Sequence, residues 1–192
     1  RLFSATRAEA LVKVGYLKRL AGRLKLPQVI SWAEDHLDGG GKLILFGIHK
    51  PVIARLRERF RKECVVIDGS TSTKDRQRAV DRFQKSRGTR LFIGNIKAAG
   101  VGITLTAADS VAMCEMGWTP GEMTQCEDRS HRISQQRNVA CYYLVERGTC
   151  EERLAEILQE KQGVLSSVLD GGSIEGDLDV FDRLVEEMRS NT

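Results

Sequence analysis

Five short apolar runs recur along this chain, four of them followed by a segment of helical character and the third by a loop rich in Ala and Gly. This alternation restricts the fold more than any other property of the sequence. The runs are Lys42–Phe46, Cys64–Ile67, Arg90–Gly94, Ser110–Cys114 and Val139–Val145. Runs this short suit strands covered on both faces better than buried helices. Between them the period changes. Pro51 opens a helix with Ile53, Leu56 and Phe60 facing inward, and Ser72 to Phe83 forms another, with Ser72 and Asp75 as a candidate capping box. Pro120 opens a third, and residues 149–169 form a long final helix that buries Leu154, Ile157, Leu158, Leu165 and Leu169. Strands alternating with helices define an α/β class, a parallel sheet with helices on both faces. Ligands of such sheets collect at the carboxyl ends of the strands. The loops after Phe46, Ile67, Gly94, Cys114 and Val145 are therefore the expected seat of function.

The lobe so defined covers residues 41–169, between a basic helical extension (1–40) and an acidic tail (170–192). In the extension an amphipathic helix is expected over 7–25. Leu11, Val14, Leu17 or Lys18, Ala21 and Leu24 mark its apolar side, and Lys13, Arg19 and Arg23 mark the rest. Pro27 restarts a helix that runs to Leu37 and ends in Asp38 and three glycines. In the tail, residues 177–188 form a short helix with Leu178, Phe181, Leu184 and Val185 on one side.

The formal net charge of +4 hides an asymmetry, because residues 1–62 hold 14 Lys and Arg against 5 Asp and Glu. Such an excess suits a polyanion such as nucleic acid, or a solvated helix face. No apolar run reaches membrane-spanning length and no signal peptide is visible. Five cysteines without a C-x-x-C pair point to reduced thiols in an intracellular protein. His36, His49 and His131 lie far apart, with no metal spacing. The chain starts at Arg1 rather than Met, which fits a fragment of something longer.

The loops carry the chemistry. Asp68 to Lys74 joins a glycine, small hydroxyl residues and the start of a helix, an anion site or a plain N-cap. Lys74 and Arg76 there oppose the helix dipole, a conflict that an anion between them relieves. Gly100 and Gly102 permit close approach of backbone to a ligand, or a tight turn. Trp118 can stack on a base or anchor the packing. Arg129 and Arg132, three residues apart, share a face if the helix begun at Pro120 reaches them. A guanidinium pair suits phosphate oxygens on which charge builds, or an alternating-charge surface helix. There is no G-x-x-x-x-G-K-[ST] phosphate loop, nor an acidic pair closing an apolar strand. By itself the chain is not a complete ATPase.

Taken in order, these residues resemble the second RecA-like lobe of the Swi/Snf-type ATPases, within the superfamily-two helicases. Lys42–Lys50 is similar to that lobe's first motif. Ile67–Ser72, with Asp75 to Arg78 and Phe83, resembles its "DGST" segment, and Ala99–Asp109 resembles "GGxGxNLTAAD". Trp118–Pro120 is similar to "WNP", and Gln125–Gln135 resembles the final motif. Leu144–Thr149 and Gln159–Lys161 look closest to the annealing helicases and fork remodellers.

The resemblance implies a motor lobe of a double-stranded-DNA translocase, using ATP with magnesium bound mainly by an N-terminal RecA-like lobe. Arg129 and Arg132 would be arginine fingers, with Gln125 beside the phosphates and Gly100, Gly102 and Thr104 lining the cleft. Gly69, Ser70, Thr71, Lys74 and Lys97 would hold duplex or forked DNA, with Trp118 on the DNA-facing side. Thr104 stands where the family usually has Asn, and Ser134 where it has Gly. The other readings are a non-catalytic nucleic-acid or partner-binding module and a lobe of an RNA helicase.

Overall fold

A computed structural model describes residues 2–99, 102–132, 135–169 and 180–190. Two helices lead, α1 (Leu2–Leu24) and α2 (Leu26–Asp38), followed by β1 (Leu43–Gly47), α3 (Lys50–Arg59), β2 (Cys64–Ile67) and α4 (Thr73–Lys85). Next come β3 (Leu91–Asn95), the single turn α5 (Ile96–Ala99), β4 (Ser110–Met113) and α6 (Pro120–Glu127). Strand β5 (Ala140–Tyr143) and helices α7 (Cys150–Leu169) and α8 (Val180–Ser190) complete the chain. The strands form one sheet in the order β2-β3-β1-β4-β5, and every pairing is parallel. All five apolar runs thus become strands of the expected α/β sheet.

The two-residue period of the strands sorts the core into two layers. Ile44, Phe46, Phe92, Val111 and Met113 face one side, where Phe83 of α4, Met123 of α6 and Leu154 and Ile157 of α7 cover them. Leu43, Leu45, Leu91, Ile93 and Ala112 face the other, under α2 and α3. Helix α2 buries Leu26, Val29, Ala33 and Leu37, an i, i+3, i+7, i+11 stripe built into that second layer. Strand β5 departs from the buried pattern, with Cys141, Tyr142 and Tyr143 exposed. It pairs only with β4, and its cover is Trp32 and His36 of α2, whose rings pack on Tyr142.

Helix α1 buries the middle of its expected side but not the ends. Leu11 and Leu24 are exposed, and the buried side is Val14, Lys18, Ala21 and, at the break between the helices, Lys25. The two lysines take an inner face because their ammonium groups find partners there. Lys18 Nζ donates to Met116 O at 2.8 Å, and Lys25 Nζ donates to Leu144 O at 2.6 Å and to the Glu151 carboxylate at 2.5 Å. In the tail, Val180, Phe181 and Leu184 of α8 join the first core layer, so this helix packs on the lobe itself. Leu178 lies outside the described residues, and so do the side chains of Leu165 and Leu169. Among the described residues no helix is long and apolar enough to cross a membrane.

Candidate functional site

Asp68 organises the loop that follows β2. Its carboxylate accepts hydrogen bonds from the Ser70 amide at 2.9 Å and from the hydroxyls of Ser70 and Thr71 at 2.6 and 3.2 Å. These bonds, the Ser70 hydroxyl foremost, hold its carboxyl below the usual range. Ser72 caps α4 by accepting from the Asp75 amide at 3.2 Å. The expected box closes differently, however, because the Asp75 carboxylate accepts from the Ser72 hydroxyl at 2.7 Å. Gly69, Ser70 and Lys74 are exposed around this turn and Thr71 is half-buried. Gly69 does not use the left-handed region, so the turn needs no special backbone conformation there.

Arg76 has a role that charge placement alone misses. Among the described residues it bonds to no carboxylate. Its guanidinium donates to Thr71 O at 3.1 Å, Asp68 O at 3.4 Å and Ala98 O at 2.7 Å. It therefore clasps the loop after β2 to the end of α5. Asn95 fixes the other end of α5. Its Oδ1 accepts from the amides of Lys97 and Ala98, while its Nδ2 donates to Ile48 O at 2.8 Å. Lys97 stands exposed between these anchors, on the same rim as Ser70 and Lys74. Gly102 has a φ of +71°, a left-handed conformation that glycine adopts without strain. Thr104 is half-buried two residues on, and Gly100 lies outside the described residues.

The arginine pair is arranged differently from the helical expectation. Helix α6 ends at Glu127, and residues 128–132 continue as turns and bends. Two carboxylates, Glu127 and Asp128, meet the negative end of the helix dipole there. The following Ser130 is fully buried and gives its hydroxyl to Ala108 O. The pair consequently divides. Arg129 is 7% exposed, with Nε on Gln125 O at 2.7 Å and Nη1 on Ile103 O at 3.3 Å. Its own carbonyl accepts from the Leu105 amide at 2.7 Å. Burial, then the charge of Arg132, lowers the Arg129 pKa. Arg132 is exposed, with one long contact to Asp128 O at 3.3 Å. Gln125 is exposed on the last turn of α6. The final motif residue Gln135 turns inward instead, onto Thr106 O and Ala108 O.

Trp118 is half-buried and covered from within the chain. Phe181 of α8 meets its ring edge-on at 5.8 Å, and the Lys18 ammonium sits 3.8 Å from its centroid. This arrangement matches the packing-anchor alternative. Beside it, the buried Glu115 accepts from the amides of Ile48 and His49 at 2.7 and 2.9 Å and from the His49 ring. Desolvation pushes the Glu115 pKa up, but the His49 and Ile48 bonds together outweigh it and leave it lowered. Gly22 is needed for this contact, since a Cβ there would stand 2.5 Å from Glu115 Oε1. Sequence signals for these polar anchors are weak, because a lysine or glutamate inside the lobe looks the same in sequence as one in water.

The described residues thus form two sets of groups, one after the carboxyl ends of β2 and β3, the other along the segment leading into β4 and the turn after α6 that packs on it. One set, Ser70, Thr71, Lys74 and Lys97, offers hydroxyls and cations to an anionic chain. The other, Gly102, Thr104, Gln125 and Arg132, offers polar groups around a glycine turn. No cluster of three or more His, Cys, Asp or Glu that could hold a metal ion occurs among the described residues.

Residues 25–134 match the model of the helicase conserved C-terminal domain. The chain is 41% identical over 145 residues to the cattle SWI/SNF-related matrix-associated actin-dependent regulator of chromatin subfamily A-like protein 1, covering 73% of this chain and 15% of that protein. It is 38% identical over 133 residues to human DNA annealing helicase and endonuclease ZRANB3, covering 68% of this chain and 12% of that protein. It therefore spans well under a quarter of these two relatives. In fold it is similar to the Sulfolobus solfataricus SWI2/SNF2 ATPase core in complex with dsDNA, with a TM-score of 0.71 at 23% identity, over 95% of this chain and 41% of that one.

Proposed function

The chain belongs to the helicase conserved C-terminal domain family, as a C-terminal lobe of the Snf2 type, and from that premise we propose that it is the second motor lobe of an ATP-dependent duplex-DNA translocase of the fork-remodelling or chromatin-remodelling kind. The observation that carries this reading is a double clasp. The segment leading from α5 into β4 is held by Arg76 at Ala98 O and by Arg129 at Ile103 O. The first clasp anchors the rim of Ser70, Thr71, Lys74 and Lys97. The second anchors the turn that carries Arg132. In this reading the two clasps link the rim to the turn, the kind of connection that coupling nucleotide state to DNA grip requires.

In this reading the exposed rim holds one DNA strand by its phosphates, contacts that carry little sequence information. Arg132 reaches ATP bound mainly by an N-terminal RecA-like lobe, with Gln125, Gly102 and Thr104 lining the cleft. Gly100 belongs to the same cleft by resemblance. Arg129 holds the turn from which Arg132 projects, and Trp118 anchors the loop before α6. Magnesium would be held with the nucleotide on the other lobe, where it neutralises phosphate charge.

The test is Arg132→Ala in the protein that joins this lobe to a nucleotide-binding lobe. DNA-stimulated ATP hydrolysis should fall by roughly 10³–10⁵, with duplex affinity close to wild type. Unchanged turnover would remove Arg132 from the finger role. Hydrolysis by the purified 192-residue chain alone would overturn the division into two lobes.

A further inference from the structure

The two arginine-bearing segments that flank β2 form a second basic site. Among the described residues strand β2 ends the sheet and pairs with β3 alone. Beside it runs a groove of about 500 Å³. Arg57 and Arg61 line it from the α3 side, Arg78 and Arg82 line it from α4, and Ser70 and Thr71 lie at the same groove. All four arginines are exposed. Among the described residues, the Arg57 and Arg61 side chains have no hydrogen-bond or ion-pair partner. Arg78 makes one exposed pair with Asp75 at 3.4 Å, and Arg82 gives only Nε to Thr89 Oγ1. The one carboxylate in the lining, Asp68, already accepts from Ser70 and Thr71. Four cations therefore converge on a groove with little counter-charge of its own.

We infer that this groove takes the sugar-phosphate backbone of duplex DNA, extending the grip of Ser70 and Thr71 along the sheet edge. The inference rests on the function proposed above and adds a binding surface to it. Guanidinium forks match phosphate oxygens bidentately. A strand of four residues is about 13 Å long, and one DNA strand carries a charge every 3.4 Å or so along the axis, so several phosphates face the groove. The groove is continuous with the rim, which makes the arginines a track leading away from it. An added peptide strand would need side-chain pockets along the edge, whereas here four arginines flank the short apolar floor of Val65, Val66 and Ala79.

The probe is a fluorescein-labelled mixed-sequence duplex, titrated with the chain by anisotropy over a salt series. Each phosphate that a cation neutralises adds about 0.9 to the slope of log K against log salt. The double variant Arg57→Gln/Arg61→Gln should therefore bind more weakly, with that slope shallower by about 2. The Arg78→Gln/Arg82→Gln pair on the opposite wall should do the same, with both variants melting as wild type. Lys97→Ala reports separately on the rim. A wild-type chain that does not bind the duplex removes the proposed function and the groove together. A chain that binds, weakens with Lys97→Ala, and keeps its salt slope in both double variants overturns the groove alone. Slowed hydrogen exchange of β2 amides with an acidic peptide, while DNA binding ignores all four arginines, reassigns the groove to strand addition and likewise overturns it.

Discussion

Arg129 and Arg132 are chemically identical and three residues apart, yet the structure assigns their truncation different costs. The Arg129 side chain is buried and donates to Gln125 O at 2.7 Å and Ile103 O at 3.3 Å. A buried hydrogen bond from a charged donor contributes about 1.5–3 kcal/mol, and the longer contact contributes less. Arg129→Ala also leaves two inner carbonyls short of a partner and opens a void, so it should cost about 2–4 kcal/mol. In a chain of 192 residues, each kcal/mol shifts Tm by about 2–4 °C. The variant should therefore melt about 5–15 °C lower. Arg132 is exposed with one 3.3 Å contact, and Arg132→Ala should stay within about 0.5 kcal/mol of wild type. Urea denaturation and thermal melting of both variants measure this directly. Arg129→Lys should recover little, since an ammonium cannot span both carbonyls as a fork does. Equal losses for the two alanine variants, or an Arg129→Ala protein as stable as wild type, would refute the division of the pair.

Three further outcomes follow from buried and bridging charges. Lys25 and Glu151 pair at 2.5 Å with side chains 3% and 1% exposed, so Lys25→Met should cost about 3–5 kcal/mol by stranding the carboxylate, and adding Glu151→Met should recover most of it in a double-mutant cycle. Burial lowers the Lys18 pKa from 10.5 to about 8, against the opposing pull of Glu115 and Glu151. The unfolded chain then binds more protons than the folded one across that interval, so stability should rise with pH between about 8 and 10.5; denaturation at a series of pH values should show Lys18→Met flattening the rise. Arg76→Ala releases Thr71 O and Ala98 O from each other. It should weaken duplex binding while leaving the salt slope nearly unchanged, because Arg76 itself touches no phosphate in the proposed mode.

Much of this lobe is legible in the sequence because its signals are local. Each apolar run between helical patterns became a strand, and the Ser70–Thr71 loop, Lys97 and Gly102 fall at strand ends where a parallel sheet places its ligands. The reading of α1 is met at Val14 and Ala21 and missed at Leu11 and Leu24, which are exposed. Hydrophobic periodicity leaves Leu17 and Lys18 as alternatives and gives Lys25 no inner place, because the partners that make the two lysines' burial tolerable lie 98 and 126 residues away, at Met116 and Glu151. The end of α6 was hidden in the same way, because the turn after Glu127 depends on Ser130 reaching Ala108.

The sequence alone determined the class of sheet, the order of motifs and the chemical types offered at each loop, since periodicity and turn chemistry act over a few residues. Only the tertiary structure decided which of two like arginines is buried, that Arg76 clasps two loops through their carbonyls, and that four arginines line one groove at the edge of β2. Those outcomes depend on contacts between residues distant in the chain. A charge's role is set by which carbonyls, carboxylates or open water the fold brings to it.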